Sequence, residues 1–337
     1  MKKAEQAQID FVITWVDGSD VEWLKEKKKY NPGLDIDDSA ARYRDFGTLK
    51  YVFRSIEKFA PWVKNIYLVT NGQVPEWLDT ENDKVKLIKH SNYIPKEYLP
   101  TFNSHPIEWN FNKIRGLSEN FVYFNDDVIL TAPVKPTDFF KDGLPCDSFG
   151  LELLAPSGFF SNIAFNNMVV VNKHFDFKET VKKNKKKFFC LKYGKSLAKT
   201  MFLSTRGCFY YINEPHISMA FKKSYFDLLW EKEHALIDET CKNRFRSKND
   251  VSPWLVRYWQ LLNGDFSPRS AKWGKVYSIH DLVRDKSIKK ELKSGKHKVV
   301  CINDNDVDFM EFEKEREIFE ETMDTILGER CSFEKQI

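Results

Sequence analysis

Several apolar runs in this chain stop abruptly in polar residues. IDFVITWVDGSD (9–20), KNIYLVTNG (64–72), NFVYFNDD (120–127) and KVVCINDN (298–305) each read as a buried strand that ends in Asp, Asn or Gly. Between them, DFGTLKYVFRSIEKFAPW (45–62) carries Leu49, Val52, Phe53, Ile56 and Phe59 at helical spacing and closes at Pro61. KVKLIKH (84–90) alternates like a strand, and HPIEWNFNKIRGL (105–117) reads as a helix. Strand, helix, strand, strand, helix, strand is the rhythm of an α/β open sheet. Ligands of such sheets sit beyond the carboxyl ends of the strands. The polar ends WVDGSD, VTNG and FNDD should therefore converge on one site.

The pattern changes after about residue 135. The expected organisation is an α/β core over 1–175, a mainly helical insertion over 176–265, and a return to the core sheet with a terminal helix over 266–337, all one composite domain. In the insertion, SPWLVRYWQLLNG (252–264) predicts a helix with Ser252 as N-cap and Gly264 beyond its end. DVDFMEFEKEREIFEETMDTILGE (306–329) predicts a terminal amphipathic helix. The uncharged stretch from Leu153 to Asn172 is interrupted by Pro156, Gly158 and asparagines. It reads as a buried strand-loop-strand and not as a membrane span.

With 42% hydrophobic residues in 337, the chain can build a large core. A net charge of +4 gives no reason to expect nucleic acid as a partner. The basic residues concentrate in KKNKKKFFCLKYGKSLAK (182–199), either a solvated face or a contact for anionic lipid head groups or a phosphorylated acceptor. Cys146, Cys190, Cys208, Cys241, Cys301 and Cys331 have no zinc-ligand spacing and read as reduced thiols of a cytoplasmic protein. MKKAEQAQID has no apolar core for a signal peptide, so any membrane association should be peripheral, on the inner face.

The chemistry lies in acids, arginines and a histidine. Asp126 and Asp127 follow one another directly after an apolar run, where they repel and are costly to desolvate. A cation beside them removes that penalty. Asp304 and Asp306 end another strand, and Asp17 with Asp20 surround a turn that is either structural or ligand-binding. Arg42 and Arg44 precede a helix, where a diphosphate also meets the positive end of the helix dipole. His216 follows Pro215, away from any apolar stripe, and Arg244 and Arg246 flank Phe245. Neither a P-loop nor a GxSxG is present. This set suits metal-assisted transfer from an activated phosphate ester.

IDFVITWVDGSD, then ARYRDFGTLKYVFRSIEKFAPWVKNIYLVTNGQVPEWL, then LPTFNSHPIEWNFNKIRGLSENFVYFNDDVIL resemble the first two conserved blocks of the Stealth family. NEPHISMAFKKS through RFRSKNDVSPWLVRYWQL resembles the third block and VVCINDN the fourth. The resemblance implies a Rossmann-like open sheet similar to a GT-A nucleotide-sugar transferase core, and a sugar-1-phosphate transferase activity. Bacterial members of that family make phosphodiester-linked capsules and exopolysaccharides. Carried over by position, the family's key residues fall on Asp127, His216, Arg246 and Asp304, with Asp127 and Asp304 holding Mg²⁺ or Mn²⁺. The implied donor is a nucleotide-diphosphate sugar, UDP-linked, held by Trp15, Val16, Asp17, Gly18 and Asp20 with Arg42, Asp45, Asn71 and Asn125. The implied acceptor is a saccharide hydroxyl, free or lipid-linked. An ordinary metal-dependent glycosyltransferase releasing UDP fits the same acids, and a non-catalytic sugar-phosphate or lipid-surface binding module fits the basic run.

Overall fold

The computed structural model describes residues 8–31, 33, 43–156, 158–304 and 307–336. Arg42 and Asp306 lie outside the described residues. The first elements are β1 (Ile9–Thr14), α1 (Val21–Tyr30), α2 (Thr48–Phe59), β2 (Ile66–Thr70), β3 (Val85–Lys89), α3 (Ser104–Trp109), β4 (Asn120–Asn125) and β5 (Val128–Leu130). A short α4 (Pro136–Phe139) with β6 (Phe140–Lys141) and β7 (Leu144–Asp147) leads into α5 (Gly158–His174), α6 (Phe177–Phe188) and α7 (Lys195–Ser204). There follow β8 (Met219–Lys222), α8 (Lys223–Lys232), α9 (His234–Lys242), α10 (Trp254–Asn263) and β9 (Ser267–Pro268). The last elements are β10 (Gly274–Ser278), α11 (Ile279–Arg284), α12 (Lys286–Ser294), β11 (Val299–Asn303) and α13 (Phe309–Leu327).

The main sheet has the order β3-β2-β1-β4-β8. Its first four strands are parallel and β8 closes the edge antiparallel. Alternate side chains feed two cores. Phe11, Ile13, Val122 and Phe124 face α2 and the C-terminal helices, whereas Val12, Phe121 and Tyr123 face α3 and α8 to α10. Burial on both faces is why these strands are nearly continuous apolar runs. The strand order reverses at β1, so the switch point lies between the carboxyl ends of β1 and β4, where Thr14 pairs with Asn125.

A second sheet, β10-β11-β5, lies beyond this point, with β5 antiparallel to β11. The Asp126–Asp127 turn joins β4 to β5 and is the corner at which the chain leaves one sheet for the other. Ile302 N donates to Asp127 O at 3.1 Å, so the end of β11 meets that corner.

Some sequence expectations are corrected. The stretch from Leu153 to Asn172 is not strand-loop-strand; most of it is α5. Its buried Ser161, Ala164, Met168 and Val171 recur at helical spacing, and Asn167 Nδ2 donates to Ser252 Oγ at 2.7 Å next to α10. Ser252 is therefore tied to α5, and Pro253 takes the N-cap of α10, while Gly264 does end that helix in the left-handed region at φ 78°. The helix expected over 105–117 is shorter: α3 ends at Trp109 and a single 3₁₀ turn, Phe111–Lys113, follows. All six cysteines are unpaired.

Candidate active site

Three loops and one turn meet at the carboxyl ends of β1, β2 and β4. After β1, Trp15 is buried and its Nε1 donates to Asp45 Oδ2 at 3.0 Å. Val16 packs against the small cluster of Trp23, Phe102 and Phe245. Asp17 Oδ1 accepts from Ser19 N at 2.8 Å, and Gln73 clamps the Asp17 backbone from both sides. Gly18 lets the Tyr43 backbone approach, since a Cβ there would stand 2.1 Å from Tyr43 O. Asp20 caps α1 by accepting from Trp23 N at 2.8 Å, and that bond holds its carboxyl below the usual range. After β2, Asn71 turns the loop by accepting from Gln73 N at 3.2 Å. Asp20 and Asn71 both border an open groove of about 630 Å³, lined also by Lys25 and Lys29 of α1. Of the residues expected to hold the nucleotide, Asp20 and Asn71 line this groove, with Glu22 and Glu26 beside the lysines, while Asp17 is held by bonds within the loop and to Gln73.

The acids gather next to it. Asp45 accepts from Gly47 N at 2.6 Å as well as from Trp15. Burial, then the charges of Asp127 and Asp45, push the Asp126 carboxyl well above its ordinary range. Asp127 Oδ2 lies 3.2 Å from Cys301 Sγ and 3.8 Å from His216 Nε2, whereas Asp127 Oδ1 is buried with no hydrogen-bond partner among the described residues. Asp304 stands just past β11, and Arg44 grips it with Nε to Oδ2 at 3.0 Å and Nη2 to Oδ1 at 3.2 Å. Asp127 and Asp304 therefore arrive at one corner from neighbouring strands. The side-chain cluster that converges within ligand distance of Asp127 is His216 and Cys301, while Asp304 is turned toward Arg44.

His216 comes from the segment before β8 and reaches the end of β4. Its Nε2 lies 3.1 Å from Asn125 Nδ2, within hydrogen-bond distance, and the ring is 43% exposed. Burial lowers its basicity, but the nearby Asp127 carboxylate, with the charge of Glu108, outweighs this and raises its pKa above the ordinary value. Arg246 Nη2 donates to Ser104 Oγ at 2.9 Å at the start of α3. Glu108, one turn further along α3, is pushed up to about 7 by burial, against the pull of Ser104 and Arg246. Glu214, two residues before His216, is likewise pushed up to about 7 by burial and accepts from Tyr258.

The structure thus brings Asp127, His216, Asn125 and the end of β11 together, and sets Arg246 beside Glu108, whose charge also acts on His216. Glu108 and Cys301 were not singled out from sequence. The signal for Glu108 was present as Ser104 and Glu108 four residues apart on one helical face. Cys301 carried no signal, because a cysteine inside an apolar strand reads as core.

An open parallel sheet with a histidine, clustered acids and arginines at its switch point defines an α/β enzyme core of the kind that binds its ligand across the strand ends. Residues 7–35 match Stealth protein CR1, conserved region 1, and residues 42–146 match Stealth protein CR2, conserved region 2. The chain is 42% identical over 341 residues to a capsular polysaccharide phosphotransferase of Streptococcus pneumoniae, covering 100% of both. It is 40% identical to an exopolysaccharide phosphotransferase of Lactiplantibacillus plantarum, over 97% of this chain and 96% of that one. It is 41% identical to a receptor polysaccharide phosphotransferase of Streptococcus oralis, over 97% and 99%. The chain belongs to the Stealth family. Among solved structures it is similar to the galactosyltransferase LgtC, with a TM-score of 0.38 and 10% identity over 87% of this chain and 86% of that one.

Proposed function

We propose that this enzyme transfers a hexose-1-phosphate or N-acetylhexosamine-1-phosphate from a UDP-linked sugar to a saccharide hydroxyl in capsule or exopolysaccharide synthesis, releasing UMP. The phosphotransferase names of its full-length relatives support the reaction class. The observation that carries the mechanism is His216: a half-exposed imidazole with Nε2 directed at Asn125 and Asp127, at the mouth of the switch point. Once free of Asn125, Nε2 can take the proton of an acceptor hydroxyl. The hydroxyl oxygen attacks the phosphorus that bears the hexose, a phosphorus–oxygen bond forms, and the bond to the UMP oxygen breaks. The anomeric bond is untouched, so its configuration is kept. Arg246, with its guanidinium anchored on Ser104, offers charge to the phosphate in flight.

The two carboxylates, Asp127 and Asp304, suit a hard divalent cation, although Asp304 must first turn from Arg44 and the side chains that converge on Asp127 are His216 and Cys301. A buried carboxylate oxygen with no partner among the described residues, beside a second acid that burial and then that charge push up, is the arrangement that such an ion relieves. Asp127 and Asp304 would hold Mg²⁺ or Mn²⁺, which when bound screens the diphosphate and the leaving phosphate. Cys301 does not compete as a thiolate, since burial and then Asp127 push its thiol well above the ordinary value.

Incubation with a panel of nucleotide sugars, Mg²⁺ and saccharide acceptors, with mass detection of products, tests the reading. UMP and a phosphodiester product are expected. UDP with a glycosidic product would replace the reading with ordinary glycosyl transfer.

A further inference from the structure

The helices between β7 and β8 carry an outward face that the chemistry leaves unused. On α5, Phe165 and Val169 stand one turn apart on the side opposite the buried Ala164, Met168 and Val171. On α7, the consecutive Met201 and Phe202 are exposed on the side away from the buried Thr200 and Leu203. Leu153 and Tyr210 are exposed too, and these six side chains range from 40% to 65% exposed. They belong to one region. Asn172, a turn beyond Val169, holds the Phe209 backbone from both sides at 2.9 and 3.1 Å, which sets Tyr210 beside the end of the α5 ridge. Glu152 N donates to Tyr211 O at 2.9 Å and the Glu152 carboxylate lies 3.5 Å from Lys199 Nζ, which sets Leu153 between Tyr210 and α7.

Positive charge surrounds this face. Helix α6 follows α5 and buries Phe177, Thr180, Asn184 and Phe188, so Lys182 and Lys186 point outward with Lys183 and Lys185 beside them. Lys192, Lys195, Lys199 and Arg206 are exposed around α7. Lys187 is different: it is turned inward and donates to the carbonyls of Gly264 and Phe266. Among the described residues no helix is long and apolar enough to cross a membrane. Apolar ridges on a helical surface with lysines at the rim have the composition of an element that lies in the lipid interface.

We propose that α5, α7 and their flanking residues form a docking face for an anionic bilayer, with Phe165, Val169, Met201 and Phe202 entering the acyl boundary and the lysines of α6 meeting the head groups. Two contacts link this face to the site: Asn166 Nδ2 donates to Lys248 O at 2.9 Å and to Asp250 O at 3.0 Å, on the loop that carries Arg246. Docking thus holds the Arg246 side of the site toward the lipid surface, where an acceptor carried on a lipid would present its sugar. The docking itself does not depend on the transfer chemistry.

The full chain is floated with vesicles of equal phosphatidylglycerol and phosphatidylcholine, and with pure phosphatidylcholine. Binding to the anionic vesicles is expected, with little to the neutral ones. The double variant F165D/F202D should weaken it on the order of tenfold or more per aromatic side chain. Replacing Lys182, Lys183, Lys185 and Lys186 by Gln should weaken it by up to roughly fivefold per charge and flatten its salt dependence. All substituted side chains are exposed, so both variants should keep the wild-type melting temperature and turnover on a water-soluble acceptor. The proposal is overturned if the wild type stays with the unbound fraction, or if F165D/F202D floats like the wild type. It is also overturned if light scattering finds a wild-type dimer that F165D/F202D breaks while vesicle binding is absent, because a second copy then covers the face.

Discussion

Replacing His216 by Ala separates chemistry from structure by magnitude. The ring is 43% exposed and makes one hydrogen bond, to Asn125, and a 3.8 Å contact to Asp127. Losing these costs the fold about 1 kcal/mol or less. Losing a general base lowers turnover about 10²–10⁴-fold, which is roughly 3–5 kcal/mol of transition-state stabilisation. A melting temperature near the wild-type value with a turnover loss of that size is the expected result. The pH profile has a definite sign. Because the His216 pKa is raised, its neutral form is lost at a higher pH than for an ordinary imidazole, so the wild-type rate should fall on an acidic limb above about 6.5. The stability that His216 contributes runs the other way: it is present below the unfolded value and is lost as pH rises through the folded one. A cation on Asp127 removes part of what raises the pKa, so added Mg²⁺ should move the limb toward lower pH. Single-turnover UMP release and calorimetric donor affinity are measured on the same variant. If affinity alone falls, or if the limb survives in His216→Ala, His216 is a phosphate ligand and not the base.

Asp127→Asn should abolish turnover and Mg²⁺ binding heat while the melting temperature holds or rises, because it removes a carboxylate beside Asp126 whose buried Oδ1 has no partner among the described residues; full wild-type activity in excess EDTA would refute the metal assignment. Glu108 is pushed up to about 7, so its contribution to stability is present below the ordinary carboxylate range and is lost as pH rises through about 7. Thermal melts of Glu108→Gln should lack that decline, and an unchanged pH profile of melting temperature would place the effect elsewhere. Arg54 binds Glu334 through Nε at 2.7 Å and Nη2 at 2.9 Å, with side chains 8% and 4% exposed. Arg54→Met should cost about 3–5 kcal/mol in urea unfolding, since it strands a buried carboxylate; a loss below 1 kcal/mol would show that the Glu334 side chain escapes to water. Burial raises the Glu334 pKa but Arg54 lowers it further, so the wild-type contribution is present above the ordinary carboxylate range and fades as pH falls.

The parallel sheet was legible because both faces of its strands are buried, so each strand is an apolar run with a sharp polar end. Its order was not legible: a run such as NFVYFN carries nothing that tells β1 from β3 as its neighbour, and that choice is made by crossovers and packing. Helix α2 was readable because its exposed face is charged, which leaves the apolar stripe visible at its period. Helix α5 failed for the opposite reason. Its outward Phe165 and Val169 are as apolar as its inward Met168 and Val171, so the period vanishes, and its asparagines and valines favour other conformations. The residues that hid the helix are the ones that form the proposed lipid-facing ridge. A segment whose periodicity disappears without any charge is thus a place to look for an interface.

The site divides in the same way. Asp127, His216 and Asp304 stood out as polar residues with no structural duty visible in the sequence. What the sequence could not assign is how the oxygens are shared. Cys301 reaches Asp127 Oδ2 from β11 at 3.2 Å, and His216 approaches the same oxygen, while Oδ1 is left buried and unpartnered among the described residues. A neutral thiol donating on one side fixes the plane of the carboxylate without bringing a second charge. Arg44 orients Asp304 with two hydrogen bonds and brings a positive charge as well. Each acid is thereby oriented by a partner from elsewhere in the chain: Asp127 by a strand some 170 residues downstream, Asp304 by the loop ahead of α2. Local pattern can name such acids but not their partners, because sequence distance carries no information about which strands meet at the corner. The adjacent pair in NFVYFNDD is tolerated because the fold makes unlike use of its members: Asp126 is driven toward its neutral form by burial, whereas Asp127 accepts from Cys301 through Oδ2 and keeps an Oδ1 that has no partner among the described residues.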